Sequence, residues 1–251
     1  MMQRGRCKLV RCMLALTALL ALQLPTFAAE QVDLLLVLSS DVSRSVDHPK
    51  FLLQREGYAT AISDPHVLEA IKSGPHQRIA VCFVEWSGFG AQKLLIDWTI
   101  IDGPEPARKF GDQLLELPRA FADRTSISGG IEFAAAQLER APFETARRTI
   151  DVSGDGTNNA GRDVKLARDE AVAKGIVING LVILSDRPVP WNAEHTNPPG
   201  GLEKYYQDNV IGGPGAFVLV AENFNTFGRA IIKKLIAEIA LLSGASPRTL
   251  R

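Results

Sequence analysis

The sequence has few cysteines, and this argues against a fold held together by internal disulfide bonds. Only three cysteines occur among 251 residues, and two of them, Cys7 and Cys12, lie near the N-terminus. Cys82 stands in an apolar run, which is typical of a buried core residue rather than of a nucleophile. No cysteine stands directly after the N-terminal apolar stretch, where a lipid would be attached, and a lipoprotein is therefore not expected.

The sequence also lacks an excess of basic charge and a long apolar run. It has 28 Lys and Arg residues against 28 Asp and Glu residues, with no basic cluster. Nucleic acid is therefore not an expected partner, because such partners require a basic surface. The apolar stretch 13–22 is shorter than the roughly 20 residues that cross a bilayer, and we expect no stable membrane insertion.

The N-terminus has the three parts of a secretory signal. Four basic residues between Arg4 and Arg11 precede the apolar stretch 13–22, and Thr26-Phe27-Ala28 forms a boundary ending in a small residue. We predict cleavage after Ala28 and a secreted or periplasmic protein; an uncleaved membrane anchor is the alternative. Cleavage would leave 24 basic and 28 acidic residues, since all four basic residues of the signal are removed. The predicted organisation is a signal peptide over 1–28, one domain over 29–245 and a tail over 246–251.

Apolar runs and amphipathic segments alternate along the rest of the chain, which predicts an α/β fold with helices on both faces of a sheet. The short glycine-rich turn at 87–90 implies a hairpin, and hence one antiparallel edge on an otherwise parallel sheet. We therefore expect a three-layer, doubly wound, mostly parallel sheet of six strands. The predicted strands are 32–38, 79–86, 93–99, 148–152, 176–184 and 216–221, and the predicted helices are 49–72, 106–117, 128–140, 163–174, 202–209 and 226–242.

Oxygen-bearing side chains follow the first predicted strand at alternate positions. Asp41, Ser43 and Ser45 come directly after a run of buried strand character. Ligands of open α/β sheets bind at the carboxyl ends of the strands, where this segment is expected. One carboxylate and two hydroxyls suit Mg²⁺ or Mn²⁺, although the same residues are also common in ordinary turns.

Two later segments supply further oxygens of the same kind. Thr125 stands just before an Ala-rich helix, and Asp155-Gly156 follows the strand predicted over 148–152. With Asp41, Ser43 and Ser45 these residues resemble the von Willebrand factor A family and its metal-ion-dependent adhesion site, in the family's order. The features Asn179-Gly180-Leu181, Tyr205-Tyr206 and 212–217 are similar to a secreted bacterial branch of undefined function, like DUF1194.

The resemblance implies a binding module rather than an enzyme. It implies that Asp41, Ser43, Ser45, Thr125 and Asp155 hold one Mg²⁺ or Mn²⁺, directly or through water. One coordination place would then remain for a carboxylate from a protein or another acidic ligand. Two further residues are candidates for partner contact, namely Arg44 within the motif and Trp191 in the long loop 185–201.

Other residues near the motif have simpler interpretations. Asp47 is expected to cap the following helix, and Gly156 to serve the backbone conformation beside Asp155. Asn158 and Asn159 fit a turn, with ligand contact as the alternative. None of the four histidines pairs at a zinc-ligand spacing, so none is predicted as a ligand.

Two other functions stay open. The segment 154–159 also resembles a motif of haloacid-dehalogenase-type phosphatases, in which Asp41 would be the nucleophile. That class uses a second Asp where this chain has Ser43, and a hydroxyl cannot protonate a leaving group as a titrating carboxyl does. A structural scaffold with an incidental metal is the other alternative. Neither the G-x-S-x-G of serine hydrolases nor the G-x-G-x-x-G of dinucleotide-binding folds is present where it would be required.

Overall fold

The central feature of the structure is a six-stranded sheet. The structure is a computed structural model and describes residues 29–185, 189–190 and 192–240. The predicted signal peptide, Trp191 and the C-terminal tail lie outside the described residues. The strands are β1 (Glu30–Gln31), β2 (Leu35–Asp41), β3 (Ile79–Trp86), β4 (Gln92–Ile101), β5 (Phe143–Glu144), β6 (Arg148–Gly154), β7 (Val177–Ile183) and β8 (Val218–Ala221).

The strand order of this sheet is β4-β3-β2-β6-β7-β8, and every neighbouring pair is parallel except β3 and β4. This confirms the prediction of six strands with one antiparallel edge. Strands β1 and β5 have two residues each and lie outside this sheet. Because β2 pairs with both β3 and β6 in parallel, the carboxyl ends of these three strands meet at one edge.

Helices cover both faces of the sheet. Strand β2 alternates between the two resulting cores, with Leu36 and Leu38 in one and Leu35 and Val37 in the other. Burial on both faces explains why residues 35–38 of this strand are all apolar rather than alternating with polar residues. The helices are α1 (His48–Ile62), α2 (Pro65–Lys72), α3 (Pro104–Glu116), α4 (Ile127–Glu139), α5 (Val164–Ala173), α6 (Ala193–Thr196), α7 (Leu202–Asn209) and α8 (Phe227–Ala240), with a 3₁₀ turn at Phe224–Thr226.

The single helix predicted over 49–72 was wrong, because two helices occupy this segment. Helix α1 ends at Ile62 and α2 begins at Pro65. The Asp64 side chain caps α2 by accepting a hydrogen bond of 2.8 Å from the backbone N–H of His66. A proline in the first turn and an Asp before it form a helix start, which outweighs the continuous apolar pattern.

The first long strand is also displaced from its predicted bounds of 32–38. Strand β2 runs from Leu35 to Asp41, because Ser39 and Ser40 pair with both neighbouring strands. Asp41 is therefore the last residue of a strand rather than the first residue of a loop. This position fixes its backbone more firmly than a loop position would.

A cluster of buried charges joins the sheet to the last helix. Lys234 Nζ on α8 lies 2.6 Å from Asp151 Oδ1 on β6 and 2.6 Å from Glu238 Oε1. Asn179 on β7 donates a hydrogen bond of 2.9 Å to Glu238 Oε1. Burial raises the pKa of Asp151 to about 7, and the nearby Glu238 adds to this while Lys234 opposes it. Asp151 and Glu238 thus share the Lys234 ammonium. Because its pKa is raised, Asp151 keeps its proton up to near neutral pH.

We expect this proton to make stability depend on pH. The free energy of unfolding of the wild type should fall, relative to Asp151→Asn, as pH rises from about 4 to about 7. In that window the unfolded chain releases the Asp151 proton while the folded chain retains it, at up to about 1.4 kcal/mol per pH unit. Urea unfolding of both proteins at several pH values measures this difference. Parallel stability profiles would show that Asp151 does not titrate in this range.

Candidate metal-binding site

The five side chains predicted as metal ligands lie at one edge of the sheet. Asp41 ends β2, Asp155 follows the neighbouring parallel strand β6, and Thr125 precedes α4 by two residues. Ser43 and Ser45 lie in the turn between β2 and α1. All five are 5 % exposed or less.

Hydrogen bonds link four of these residues in a chain. The backbone N–H of Ser43 donates to Asp41 Oδ1 at 2.7 Å, and the hydroxyls of Ser43 and Ser45 are 3.2 Å apart. The Ser45 hydroxyl donates to Asp155 Oδ1 at 2.5 Å. The two carboxylates are therefore linked through the backbone N–H and hydroxyl of Ser43 and the hydroxyl of Ser45. Ser45 and Thr125 both line a cleft of about 300 Å³.

The second oxygen of each carboxylate lacks a hydrogen-bond donor. Asp41 Oδ2 and Asp155 Oδ2 are both buried without one, although Lys50 Nζ lies 3.6 Å from Asp155 Oδ2. Buried carboxylate oxygens without partners are costly, and a bound cation would supply the partner that these two oxygens need. Two carboxylates and three hydroxyls are hard oxygen donors, and the set fits a small divalent cation.

The electrostatics of the site agree with this interpretation. Burial raises the pKa of Asp41 to about 8, and the charge of Asp155 adds to the effect. Burial likewise raises the pKa of Asp155, whereas hydrogen bonding to Ser45 and the charge of Lys50 lower it. The charge of Asp155 therefore disfavours ionisation of Asp41, and the positive charge of a bound cation would oppose this effect.

Within the described part of the chain, no three His, Cys, Asp or Glu side chains are grouped to hold a metal. The five predicted ligands do not form such a group, because only Asp41 and Asp155 are of these residue types and the other three are Ser or Thr. The fit of this site to a cation therefore depends on its hydroxyls and on the unpartnered carboxylate oxygens.

Arg119 holds the motif turn in place, and sequence reasoning did not single it out. Its Nη2 donates to the carbonyl oxygens of Val42 at 2.6 Å and Ser43 at 2.9 Å. Its Nε donates to Phe121 O at 2.7 Å, and the Arg44 N–H donates to Asp123 O at 2.8 Å. The turn between β2 and α1 is thus bound to the segment before Thr125.

Asparagines join the Asp155 loop to the Thr125 loop. Asn159 Oδ1 accepts a hydrogen bond of 2.9 Å from the Thr125 N–H, and Asn158 Oδ1 accepts one of 3.1 Å from the Ser128 N–H. Both asparagines therefore cross-link loops in addition to forming a turn. Asp47 caps α1 as predicted, accepting a hydrogen bond of 3.0 Å from the Lys50 N–H.

The segment between β7 and β8 supplies side chains that the sequence did not predict for the site. His195 on α6 is buried, and its Nε2 lies 3.1 Å from Thr125 Oγ1. Burial lowers the pKa of His195, which favours the neutral ring. On α7, the Tyr205 hydroxyl accepts a hydrogen bond of 3.1 Å from the Asn158 N–H. The buried Tyr206 hydroxyl packs beside Gly154.

The proposed role of Gly156 in backbone conformation is not supported. Its φ is not in the left-handed region, which among the described glycines includes Gly161 and Gly175. A Cβ at position 156 would instead lie 2.2 Å from His195 Nε2. A glycine is needed here because the imidazole packs directly against the backbone.

One of the two residues predicted for partner contact can be located. Arg44 lies at the rim of the cleft with Arg124, and its exposed guanidinium is 3.7 Å from Asp123 Oδ1. Trp191 lies outside the described residues.

Comparisons with known proteins agree on fold and family. A sequence profile of the family described as "Protein of unknown function (DUF1194)" matches residues 31–243. No curated protein sequence matches the chain. A similar solved structure is proximal thread matrix protein 1 of the mussel byssus with a zinc-occupied MIDAS motif, at 14% identity and a TM-score of 0.56.

Two bacterial structures are also similar. They are the pilus adhesin SpaC from Lactobacillus rhamnosus GG, at 11% identity and a TM-score of 0.58, and a von Willebrand factor type A protein from Catenulispora acidiphila, at 12% and 0.52. The matches cover 85%, 84% and 83% of this chain, but only 49%, 32% and 43% of the mussel, Lactobacillus and Catenulispora chains. The chain thus spans half or less of these proteins, and the likeness extends to the fold alone.

Proposed function

Since the chain belongs to the DUF1194 family and has the von Willebrand factor A fold, we propose that it is an exported, metal-dependent binding module. In this proposal one Mg²⁺ or Mn²⁺ is held by the oxygens of Asp41, Ser43, Ser45, Thr125 and Asp155. The bound cation supplies positive charge that attracts a carboxylate from a protein or another acidic ligand.

A single observation carries the proposal, namely the pair of buried carboxylates, each with a second oxygen that accepts no hydrogen bond. Asp41 and Asp155 come from adjacent parallel strands and are bridged by Ser43 and Ser45. The neutral hydroxyls limit the negative charge of the donor set to two. A divalent cation would balance that charge and still attract an external anion.

The surroundings of the site support an acidic ligand. The cleft that reaches Ser45 and Thr125 is lined by Arg44 and Arg124. Asp123, which pairs with Arg44, lies beside them, leaving one positive charge in excess. This positive charge would guide a carboxylate inward. Because the cleft reaches two of the five residues, Ser45 and Thr125, a projecting acidic side chain, a chain terminus or an acidic sugar would fit better than a flat surface.

Export rests on the N-terminal sequence alone. The basic segment, the short apolar stretch and the boundary at Ala28 support a secreted or periplasmic location. No helix within the described ranges is both long enough and apolar enough to cross a membrane.

We propose that the protein has no catalytic activity. A haloacid-dehalogenase-type phosphatase would need a second Asp at position 43. This chain has Ser43 there, and its hydroxyl lies 3.2 Å from that of Ser45. Asn159, at the end of the rival motif, is engaged with the Thr125 backbone. Hydrolysis of an aryl phosphate with Mg²⁺, lost in Asp41→Asn, would favour the phosphatase over the binding module.

Capture of a partner tests the proposed function. Immobilised protein should retain proteins or polymers from envelope extract in Mg²⁺, release them in chelator and bind them again when Mg²⁺ is restored. Changing the acidic residues of a retained protein one at a time to the matching amide should identify one carboxylate that is required. Retention that is unchanged by chelator would favour the structural scaffold instead.

A further inference from the structure

His195 connects a predicted ligand to the opposite loop of the site. Its Nε2 lies 3.1 Å from Thr125 Oγ1, and its Nδ1 lies 3.2 Å from Thr157 Oγ1 and 3.3 Å from Asn159 Nδ2. The residue is 4 % exposed. The ring therefore fills the space between Thr125 and the loop after Asp155.

The hydrogen bonds of Asn159 determine which ring nitrogen carries the proton. Asn159 Oδ1 must be the carbonyl oxygen, because it accepts from the Thr125 N–H. The amide nitrogen then faces His195 Nδ1, which must be an acceptor. In the neutral ring the proton consequently lies on Nε2, and the Nε2–H donates to Thr125 Oγ1.

The backbone also fixes the position of the ring. The Thr157 N–H donates to His195 O at 2.9 Å, and the His195 N–H donates to Asn192 O at 3.1 Å. The imidazole lies against Gly156, where even a methyl group would collide with it. The ring is thus held on three sides, by the Asp155 loop, by Thr125 and by its own helix.

We propose that His195 is a positioning residue that orients Thr125 toward the cation. This inference rests on the proposed function. A threonine hydroxyl has two lone pairs and one proton. The Nε2–H of His195 occupies one lone pair and thereby directs the other toward the cation or a water bound to it. Groups that orient metal ligands in this way typically change metal affinity by about 10–100-fold.

Two substitutions of similar polarity separate positioning from packing. A glutamine at 195 can place its amide nitrogen near the position of Nε2 and donate to Thr125. An asparagine reaches only as far as Nδ1, so it keeps the contacts with Thr157 and Asn159 but not the one with Thr125. We expect His195→Asn to weaken Mn²⁺ binding about 10-fold or more by isothermal titration, and His195→Gln to remain within about threefold of the wild type.

Gly156→Ala provides a second route to the same effect. The added methyl group displaces the imidazole from Thr125 while leaving His195 in the chain. In a double-mutant cycle with His195→Ala, Gly156→Ala should weaken Mn²⁺ binding strongly in the wild type and little once the histidine is absent. This cycle keeps the inference testable if the asparagine variant does not fold.

The outcomes distinguish the two proposals. If the wild type binds no Mn²⁺, the proposed function is wrong and this inference falls with it. If the wild type binds Mn²⁺ but His195→Asn and His195→Gln bind equally well, or if the cycle is additive, only the role of His195 is wrong. A ring protonated on Nδ1 in ¹⁵N spectra of the metal-free protein would overturn the inference without any metal measurement.

Discussion

Replacing Asp41 with Asn should abolish binding of Mg²⁺ and Mn²⁺. The wild type should bind one ion per chain in isothermal titration, and the variant none. In the wild type, Asp41 Oδ1 accepts a hydrogen bond of 2.7 Å from the Ser43 N–H. The amide of Asn has the same shape and keeps an oxygen that can accept this bond, but it lacks the negative charge. The remaining donors would be one carboxylate and three hydroxyls, too little charge to hold the ion. A single site of unchanged affinity in Asp41→Asn would place the metal elsewhere.

The folded structure should survive this substitution. Burial and the charge of Asp155 raise the pKa of Asp41 to about 8, so the metal-free protein keeps this group largely neutral at pH 7. Asn reproduces the neutral form, and the free energy of unfolding without metal should change by about 1 kcal/mol or less. Stabilisation by added metal should disappear, because only ligands that bind the folded state raise its stability.

Asp47→Asn is the matched control for this experiment. This substitution makes the same chemical change six residues later in the chain. Asp47 is an exposed helix cap, and an asparagine can fill that role. Its metal affinity should equal that of the wild type. A similar loss in both variants would point to a general charge effect rather than to coordination.

The main architecture could be predicted because it depends on short-range patterns. The apolar run of β2 is long enough to identify a strand buried on both faces, and the turn at 87–90 is short enough to require a hairpin. Parallel strands place their carboxyl ends together, so Asp41 and Asp155 could be assigned to one edge from sequence order alone. Whether the five residues bind a metal stays a prediction.

The parts that sequence reasoning missed depend on contacts between distant residues. His195 is 70 positions from Thr125, and Arg119 is 77 positions from Val42. Neither stands in a recognisable motif, and a lone histidine or arginine in a loop is usually solvated. The sequence could not show why residue 156 must be glycine either, because the side chain that leaves no room for a Cβ there is that of the distant His195.

Three of the residues that were not predicted for the site share a location, which bears on how the site works. His195, Tyr205 and Tyr206 all come from the segment between β7 and β8. These three side chains border the site on one side, and the cleft reaches Ser45 and Thr125. Specificity for a partner should therefore depend on the shape of this cleft and its arginine rim as well as on the cation.

At about pH 8, above the raised pKa of Asp151, replacing Lys234 with Met should destabilise the protein by about 3–5 kcal/mol, because it leaves Asp151, then ionised, and Glu238 buried without their cation. Both carboxylates are already short of partners, since Asp151 Oδ2 and Glu238 Oε2 have no donor. Urea unfolding measures the loss. Asp151 lies four residues before Asp155 on the strand that leads to the site, so metal binding should fail wherever this strand unfolds.

Lys233 provides a control that removes the same charge from the adjacent position. Lys233 is exposed, and Lys233→Met should change the free energy of unfolding by about 0.5 kcal/mol or less. Adding Asp151→Asn and Glu238→Gln to Lys234→Met should recover much of the loss, because neutral amides do not require a buried cation. Equal unfolding midpoints for the two methionine variants would mean that the stability of the protein does not depend on the Lys234 ammonium.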